Sequence, residues 1–314
     1  MAAGHDGSIA SALLAPDETA FDVLRALHCC RGTGLACIDT CLEGGCLGPG
    51  ELVVLHGEAG SAKTVVLQNI IALHIAPAVA GGYALPAVLV DAEGRFDTVA
   101  FASLLEGVIA QGTRNQSDSD EGEDVGCIAV PALVKEALSR LLIFRPKEPI
   151  DLLRQLYQLR DLFLANPTAS LLAVDSMSAW QPLTSAFPQA VTPVLRESWN
   201  ALLRMQHEHC LAVVVTQRDG DGSSTLPRNN GLRGMMNSCL HLNISKHGRE
   251  AQGIDGELEH ARKSEAQDST VLPGGTVFSV SSHLSTAAVG RTRPCGASSF
   301  VLSDAGRVSS LAVH

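Results

Sequence analysis

The residues from 57 to 65 have the types and order of a phosphate-binding loop. Such a loop, G-x-x-x-x-G-K-[ST], holds phosphate oxygens with backbone N–H groups and a helix N-terminus. Its lysine reaches the β- and γ-phosphates, and its final hydroxyl ligates Mg²⁺. Lys63 and Thr64 take these two places. We therefore expect ATP and Mg²⁺ to bind at Gly57, Glu58, Ala59, Gly60, Ser61, Ala62, Lys63, Thr64 and Val65.

The loop departs from the pattern at one position, because Ala62 replaces the second glycine. A methyl group there crowds the bound phosphate, or costs about 1 kcal/mol if the backbone needs a positive φ. If φ is helical, the change is nearly silent. The other interpretation is a chance Gly-rich turn before a helix, which the Lys-Thr pair in register disfavours. The loop predicts nucleotide binding and leaves turnover open.

Three polar residues end apolar runs that follow this loop in the chain. Asp175 closes the run LLAVD, where a carboxylate can hold Mg²⁺, often through water. Glu93 follows the run AVLVD and can act as a general base that polarises an attacking water. Gln217 ends VVVTQ and can contact the γ-phosphate and couple it to the next loop. A single polar residue at the end of an apolar run is common. The order of these three residues after the phosphate loop strengthens the prediction that they belong to one site.

These residues need a sheet whose strand ends meet at one edge. Short apolar runs predict buried strands, and stretches with helical spacing separate them. Such alternation indicates an α/β fold, with a mostly parallel sheet covered by helices on both faces. The predicted strands are Glu51–His56, Ala87–Val90, Leu141–Phe144, Ser170–Val174 and Leu211–Val215, and the predicted helices are Val65–Ile75, Phe96–Ile109, Ile150–Leu164 and Val194–His207.

The domain organisation follows from the same pattern. Residues 1–30 are expected to form a tail with one short helix, and residues 31–314 the core. Residues 115–124 are a low-complexity acidic run, expected to be a disordered insertion, and residues 246–268 a polar insertion. Two late runs, Thr276–Val280 and Ser298–Leu302, predict an antiparallel β extension.

Composition excludes several classes of protein. The 314 residues carry a formal net charge of −10 and only 4% aromatic residues, which disfavours a stand-alone nucleic-acid binder. No apolar run is long enough to span a membrane, and the N-terminus does not resemble a signal peptide. Nine cysteines, an odd number in a chain of this length, indicate a reducing cytosolic or nuclear compartment.

Several stretches together resemble the RecA/eukaryotic recombinase family, from about Arg31 to the C-terminus. The family's T-G-x-x-x-[LI]-D-x-x-L-x-G-G segment is similar to residues 33–45. Its I-D-T-E-G-x-F motif resembles residues 90–96, with Glu93 in the place of the catalytic glutamate. Its Walker B strand resembles Leu171–Ser176, and its V-x-T-N-Q strand resembles Val214–Gln217, here without the Asn.

The resemblance implies a RecA-like ATPase core, with Glu93, Lys63 and Gln217 as catalytic residues and Thr64 and Asp175 as metal ligands. It also implies homologous-recombination repair of DNA in the nucleus. The partners implied are other recombinase paralogues, notably paralogue D, and single-stranded DNA through the complex. Recombinases proper carry an N-terminal helical domain, and the 30 residues here have room for one helix. The chain is therefore expected not to form filaments alone.

Two loops occupy the places of the family's DNA-contacting loops. Residues 218–233 are Gly- and Ser-rich and flanked by arginines, so they suit either DNA contact or a solvated loop. Residues 177–192 are rich in Pro and apolar residues, which suits a protein contact at least as well. The cysteines at 37 and 41 are expected to be buried thiols. The His-Glu-His-Cys run at 207–210 is a weak metal candidate.

Two alternatives to an ATP-binding recombinase paralogue stay open. One is a non-catalytic scaffold subunit whose nucleotide site is vestigial. The other is a P-loop enzyme that acts on a small molecule, such as a kinase. A kinase needs an acceptor pocket and lid arginines, and the segment at 33–45 argues against it.

Overall fold

The computed structural model describes residues 31–42, 45–117, 130–218, 239–246, 276–285, 292–302 and 308–311. The expected N-terminal helix lies outside the described residues. So do residues 118–124 of the acidic run, residues 247–268 of the polar insertion, and residues 219–233 of the second candidate DNA loop.

The described residues alternate between strands and helices along the chain. The strands are β1 Leu52–Gly57, β2 Ala87–Asp91, β3 Leu141–Phe144, β4 Leu171–Asp175, β5 Ala212–Arg218, β6 Cys239–Lys246, β7 Thr276–Ser285, β8 Thr292–Leu302 and β9 Val308–Leu311. The helices are α1 Ala36–Asp39, α2 Lys63–Ile75, α3 Thr98–Ser117, α4 Val130–Leu138, α5 Pro149–Ala165, α6 Gln181–Ala186 and α7 Pro188–Glu208, with a short 3-10 turn at Ala78–Ala80.

The strands form one sheet in the order β3-β2-β4-β5-β1-β6-β7-β8-β9. The pairs from β3 to β6 are all parallel, and those from β6 to β9 are antiparallel. The predicted α/β class, with its parallel sheet and antiparallel C-terminal extension, is therefore confirmed. The strand β1 lies between β5 and β6, so the segment that follows it leaves from the middle of the sheet.

Side chains that alternate along the central strands separate two apolar layers. One layer contains Val53, Leu55 and Leu89 and packs against α2, α3 and α4. The other contains Val54 and Val90 and packs against α5 and α7. Because both faces are covered, β1, β2, β4 and β5 each begin with a run of four apolar residues, as expected for a parallel sheet.

The edge strand differs from the central strands. β3 pairs only with β2 among the described strands, and its four apolar side chains are half-buried or exposed. Its sequence was taken to resemble a strand buried on both faces, and this detail was wrong. The run of apolar residues does not distinguish an edge strand from a central one.

Two sequence expectations are corrected at segment boundaries. The acidic run was expected to be disordered from residue 115, but α3 continues through Ser117. The candidate DNA loop at 177–192 contains α6 and the first turn of α7. A proline stands in the first turn of each helix, where the missing N–H costs nothing.

The sequence contains no apolar run long enough to span a membrane. Among the described residues, no helix is both long and apolar enough to cross a bilayer.

Candidate phosphate-binding site

The turn after β1 requires glycine at its first position. Gly57 has φ +151, and a Cβ there would lie 2.2 Å from the carbonyl oxygen of Ile244 on β6. At Gly60, φ is +80 and a Cβ would meet nothing within 4 Å, so this side of the loop is open. The loop therefore packs closely against the sheet at one end and faces free space at the other.

Ala62 precedes α2 and has a left-handed backbone, with φ 65 and ψ 14. An L-residue pays about 1–2 kcal/mol for this conformation, whereas glycine adopts it freely. Of the two outcomes that the sequence left open, the structure has the strained one. The alanine therefore costs stability here, but the turn keeps the backbone path that a glycine would take.

The ammonium group of Lys63 folds back onto the loop that precedes it. Nζ donates to the carbonyl oxygens of Gly57, at 2.8 Å, and Glu58, at 2.6 Å, and to Oγ of Ser61, at 3.1 Å. The side chain thus lies across the turn at the start of α2, where an anion is favoured by the helix N-terminus. A bound phosphate would compete with these oxygens for the same ammonium.

His56 is the residue before the turn and remains neutral near pH 7. Burial, and then the nearby charge of Lys63, lower the pKa of its imidazole to about 4. The side chain therefore adds no positive charge beside the loop. Lys63 supplies the cation there.

Asp175 joins the end of β4 to the start of α2. Its carboxylate accepts hydrogen bonds from the hydroxyl of Thr216 on β5 and from the hydroxyl of Thr64. Burial raises the pKa of Asp175, and the carboxylates of Glu93 and Asp91 raise it further, while the two hydroxyl hydrogen bonds oppose this. A cation bound beside Asp175 would relieve this repulsion.

The donors around Asp175 fit Mg²⁺ only together with a nucleotide. Within the described part of the chain, no group of three or more His, Cys, Asp or Glu side chains could hold a metal ion. Mg²⁺, however, usually takes one or two carboxylates plus substrate phosphates and water. Asp175 and the hydroxyl of Thr64, hydrogen-bonded to each other, are such a set.

Glu93 lies beside Asp175 at the same edge of the sheet. Its backbone N–H donates to the carbonyl oxygen of Asp175 at 3.2 Å. Its side chain accepts a hydrogen bond of 3.0 Å from the hydroxyl of Ser176 and is 3.4 Å from the guanidinium of Arg95. With 22% of its side chain exposed, Glu93 is both held in place and open to water.

Asp91 and Arg145 hold the turn that carries Glu93, and sequence reasoning assigned them no role. Asp91 is 2% exposed and accepts hydrogen bonds of 3.1 Å from the backbone N–H groups of Arg95 and Phe96. Arg145 donates to the same carboxylate from Nε at 3.1 Å. Asp91 stands in the quoted AVLVD run, so that signal was present. No sequence pattern pointed to Arg145, because its partner Asp91 lies 54 residues earlier in the chain.

A second set of contacts leads from Glu93 toward the end of β5. Ser176 donates to Glu93 and accepts from the backbone N–H of Ser178 at 3.2 Å. The hydroxyl of Ser178 accepts from the backbone N–H of Arg218 at 2.8 Å. Arg218 is the residue after Gln217, so this path ends where the second candidate DNA loop begins.

The predicted site residues all lie at one edge of the sheet. Gly57 ends β1, residues 58–62 form the turn, and Lys63, Thr64 and Val65 begin α2. Asp175 and Asp91 are paired in register, and Gln217 lies opposite His56 on the neighbouring strand. Gln217 is buried, at 5% exposure. The arrangement brings a lysine, a hydroxyl and two carboxylates around one helix N-terminus.

The secondary metal and thiol candidates lie elsewhere. Cys37 and Cys41 are buried thiols, as predicted. His209 and Cys210 lie at the end of α7, at the sheet edge opposite the phosphate loop, and His209 stacks near Phe163 with ring centroids 5.9 Å apart. These residues belong to the packing of α5 against α7.

Comparison with known proteins identifies a relative that matches part of the chain. No protein-family model matches the chain. The chain is similar to DNA repair protein XRCC2 of Mus musculus. The two are 28% identical over 131 residues. The match covers 42% of this chain and 41% of the mouse protein, so the chain spans less than half of that relative's length. The similarity supports a relationship with a DNA repair protein.

Proposed function

We propose that this chain is an ATP-binding recombinase paralogue that acts in DNA double-strand break repair by homologous recombination. The observation that carries the ATP site is the ammonium of Lys63 lying across the phosphate-loop turn at the start of α2, with the strand-ending carboxylate of Asp175 beside it. A helix that follows such a turn and a carboxylate that ends a neighbouring strand are the pair that a Mg²⁺-nucleotide needs. The similarity to XRCC2 supports the role in repair.

In this proposal the chain's own residues bind and orient the nucleotide. The start of α2 and the backbone N–H groups of the turn hold phosphate oxygens, and Lys63 exchanges its loop carbonyls for them. Thr64 and Asp175 hold Mg²⁺, which supplies charge neutralisation between the phosphates when bound. Glu93 orients a water and accepts its proton at a carboxylate oxygen. Gln217 contacts the γ-phosphate side of the site.

Hydrolysis would be weak or dependent on a partner chain. The site is open on the side of Gly60, and its turn carries the strained Ala62. We propose that other recombinase paralogues, with paralogue D foremost, assemble with this chain in the nucleus. The complex would assist strand exchange on single-stranded DNA, which this acidic chain, at −10, would meet through its partners.

The test is nucleotide binding by the full chain in Mg²⁺. A fluorescent ATP analogue is titrated against wild type, Lys63→Ala and the control Lys135→Ala, which removes an exposed lysine of α4. We expect Lys63→Ala to weaken binding at least about tenfold, since it removes a charged hydrogen-bond donor to phosphate. Lys135→Ala should bind as wild type does. Equal affinity in all three would contradict the proposed ATP site.

The second candidate is a scaffold subunit with a vestigial nucleotide site, and the strained Ala62 favours it. The two candidates differ in what Lys63→Ala does to the cell. A scaffold would keep complex assembly and recombination repair in this variant, whereas a working ATP site would lose repair. Repair assays after double-strand breaks, with Lys135→Ala as the control, separate them.

A further inference from the structure

The segment between β4 and α7 presents an exposed aromatic side chain on an ordered backbone. Phe187 lies between α6 and α7 and is 63% exposed, and Leu183 on α6 is 41% exposed. The backbone N–H of Phe187 donates to the carbonyl of Leu183 at 2.8 Å, and the carbonyl of Phe187 accepts from Val191 at 3.1 Å. The backbone that carries the exposed ring is therefore hydrogen-bonded to both helices.

The first residues of this segment belong to the hydrophobic core. Met177 and Trp180 are buried among the side chains that α5 and α7 contribute. The carbonyl of Trp180 accepts the backbone N–H of Thr184 at 2.9 Å, at the start of α6. A rigid support lowers the entropy that a surface loses when a partner binds it.

This segment carries no charged side chain. No Lys, Arg, His, Asp or Glu occurs anywhere in residues 176–195. A single-stranded nucleic acid needs cations to neutralise its phosphates even where bases stack on aromatic rings. Within these residues, basic and acidic peptides also find no side chain of opposite charge. A second copy of this chain would bring another −10 of net charge with it.

We propose that the uncharged surface of residues 181–191, with Phe187 at its centre, docks an uncharged apolar segment of a different protein chain. Exposed aromatic anchors on ordered backbone are the residues that dominate protein–protein affinity. This place follows the strand that ends at Asp175, where the family resemblance places a DNA loop and the composition suits a protein contact at least as well. The inference goes beyond the proposed function, since it does not depend on nucleotide binding.

The test uses the full chain in the cells from which it comes. A photo-reactive benzoyl-phenylalanine replaces Phe187, and a matched chain carries it at Leu164 at the end of α5, which is 65% exposed and lies at the opposite sheet edge. Cross-linked species are identified by mass spectrometry. The affinity of the identified protein is then measured with purified wild type, Phe187→Asp and Leu164→Asp.

We expect a cross-link from position 187, and not from 164, to one identified protein. Phe187→Asp should weaken its binding at least about 30-fold, as loss of an anchor residue does, and Leu164→Asp should not. If Phe187→Asp lowers the thermal unfolding midpoint, the affinity of Phe187→Ala for the identified protein is measured in its place. A cross-link to nucleic acid, to a second copy, to residues 219–238 of the same chain or to nothing overturns the proposal, as does unchanged affinity.

The outcomes also separate this inference from the proposed function. If the identified protein is not a recombinase paralogue, the docking surface stands, and any paralogue partner binds elsewhere on the chain. If a paralogue binds Phe187→Asp as tightly as wild type, the surface fails while the proposed function stands.

Discussion

Replacing Ala62 with glycine tests the strained turn directly. Relief of the left-handed backbone is worth about 1.5 kcal/mol. Against this, the freer unfolded chain of the glycine variant costs about 0.7 kcal/mol. The lost methyl, which is half-buried against the core, costs about 0.4 kcal/mol. We therefore expect Ala62→Gly to be about 0.4 kcal/mol more stable than wild type.

The matched control is Ala102→Gly inside α3, where glycine should cost about 1 kcal/mol. Urea unfolding of the three proteins is followed by circular dichroism and by the fluorescence of the two tryptophans. Both are buried on the α5 and α7 side of the sheet. If Ala62→Gly is destabilised as much as Ala102→Gly, the turn is not left-handed and the reasoning is refuted. The glycine variant should also bind Mg²⁺-ATP at least as tightly as wild type.

Three further predictions concern buried charges. Arg145→Ala leaves the buried carboxylate of Asp91 without its guanidinium, and because that arginine is half exposed we expect a loss of only about 1–2 kcal/mol in urea unfolding. The control Arg154→Ala breaks a surface pair and should cost less than about 0.5 kcal/mol, so equal losses would contradict the role of Arg145. Burial raises the pKa of Asp175 above its ordinary 3.8, so wild type should lose stability relative to Asp175→Asn as pH rises from 3.8 through the raised pKa. Near pH 7 and without nucleotide, Asp175→Asn should therefore have a higher thermal unfolding midpoint than wild type. Mg²⁺-ATP should raise the midpoint of wild type and leave that of Asp175→Asn unchanged. A lower midpoint for Asp175→Asn without nucleotide would be inconsistent with a desolvated carboxylate. Burial lowers the pKa of His74 from 6.5 to about 3, so acid favours the unfolded chain, and wild type should lose stability as pH falls below 6.5. His74→Gln should show a shallower decline between pH 7 and pH 5, and identical slopes would show that His74 does not titrate on unfolding.

The strands and the phosphate loop could be predicted because their cause is local. A strand buried on both faces must be apolar along its buried length, and β1, β2, β4 and β5 each begin with four apolar residues. The turn after β1 needs small residues in a fixed order before a helix. A parallel sheet then places all strand ends at one edge, so Asp175, Glu93 and Gln217 follow without knowledge of side-chain contacts.

Other elements escaped prediction because their cause is distant. β6 was not recognised, since its Cys239–Lys246 sequence mixes polar and apolar residues and depends on pairing with β1 and β7. The short helix α6 was taken for loop, because it has only six residues and a proline stands near its start. Neither element has a pattern that local propensity could separate from coil.

The sequence by itself determined the α/β class, the order of the strands in the chain, and the residue types that surround a candidate nucleotide. These depend on apolar runs and on turn residues within a few positions of one another. Only the tertiary structure decided that Ala62 is left-handed, that Arg145 reaches Asp91, and that Phe187 faces outward. Each of these results from the packing of segments far apart in the chain, where backbone torsion, charge pairing and exposure are set by neighbours that the local sequence does not name.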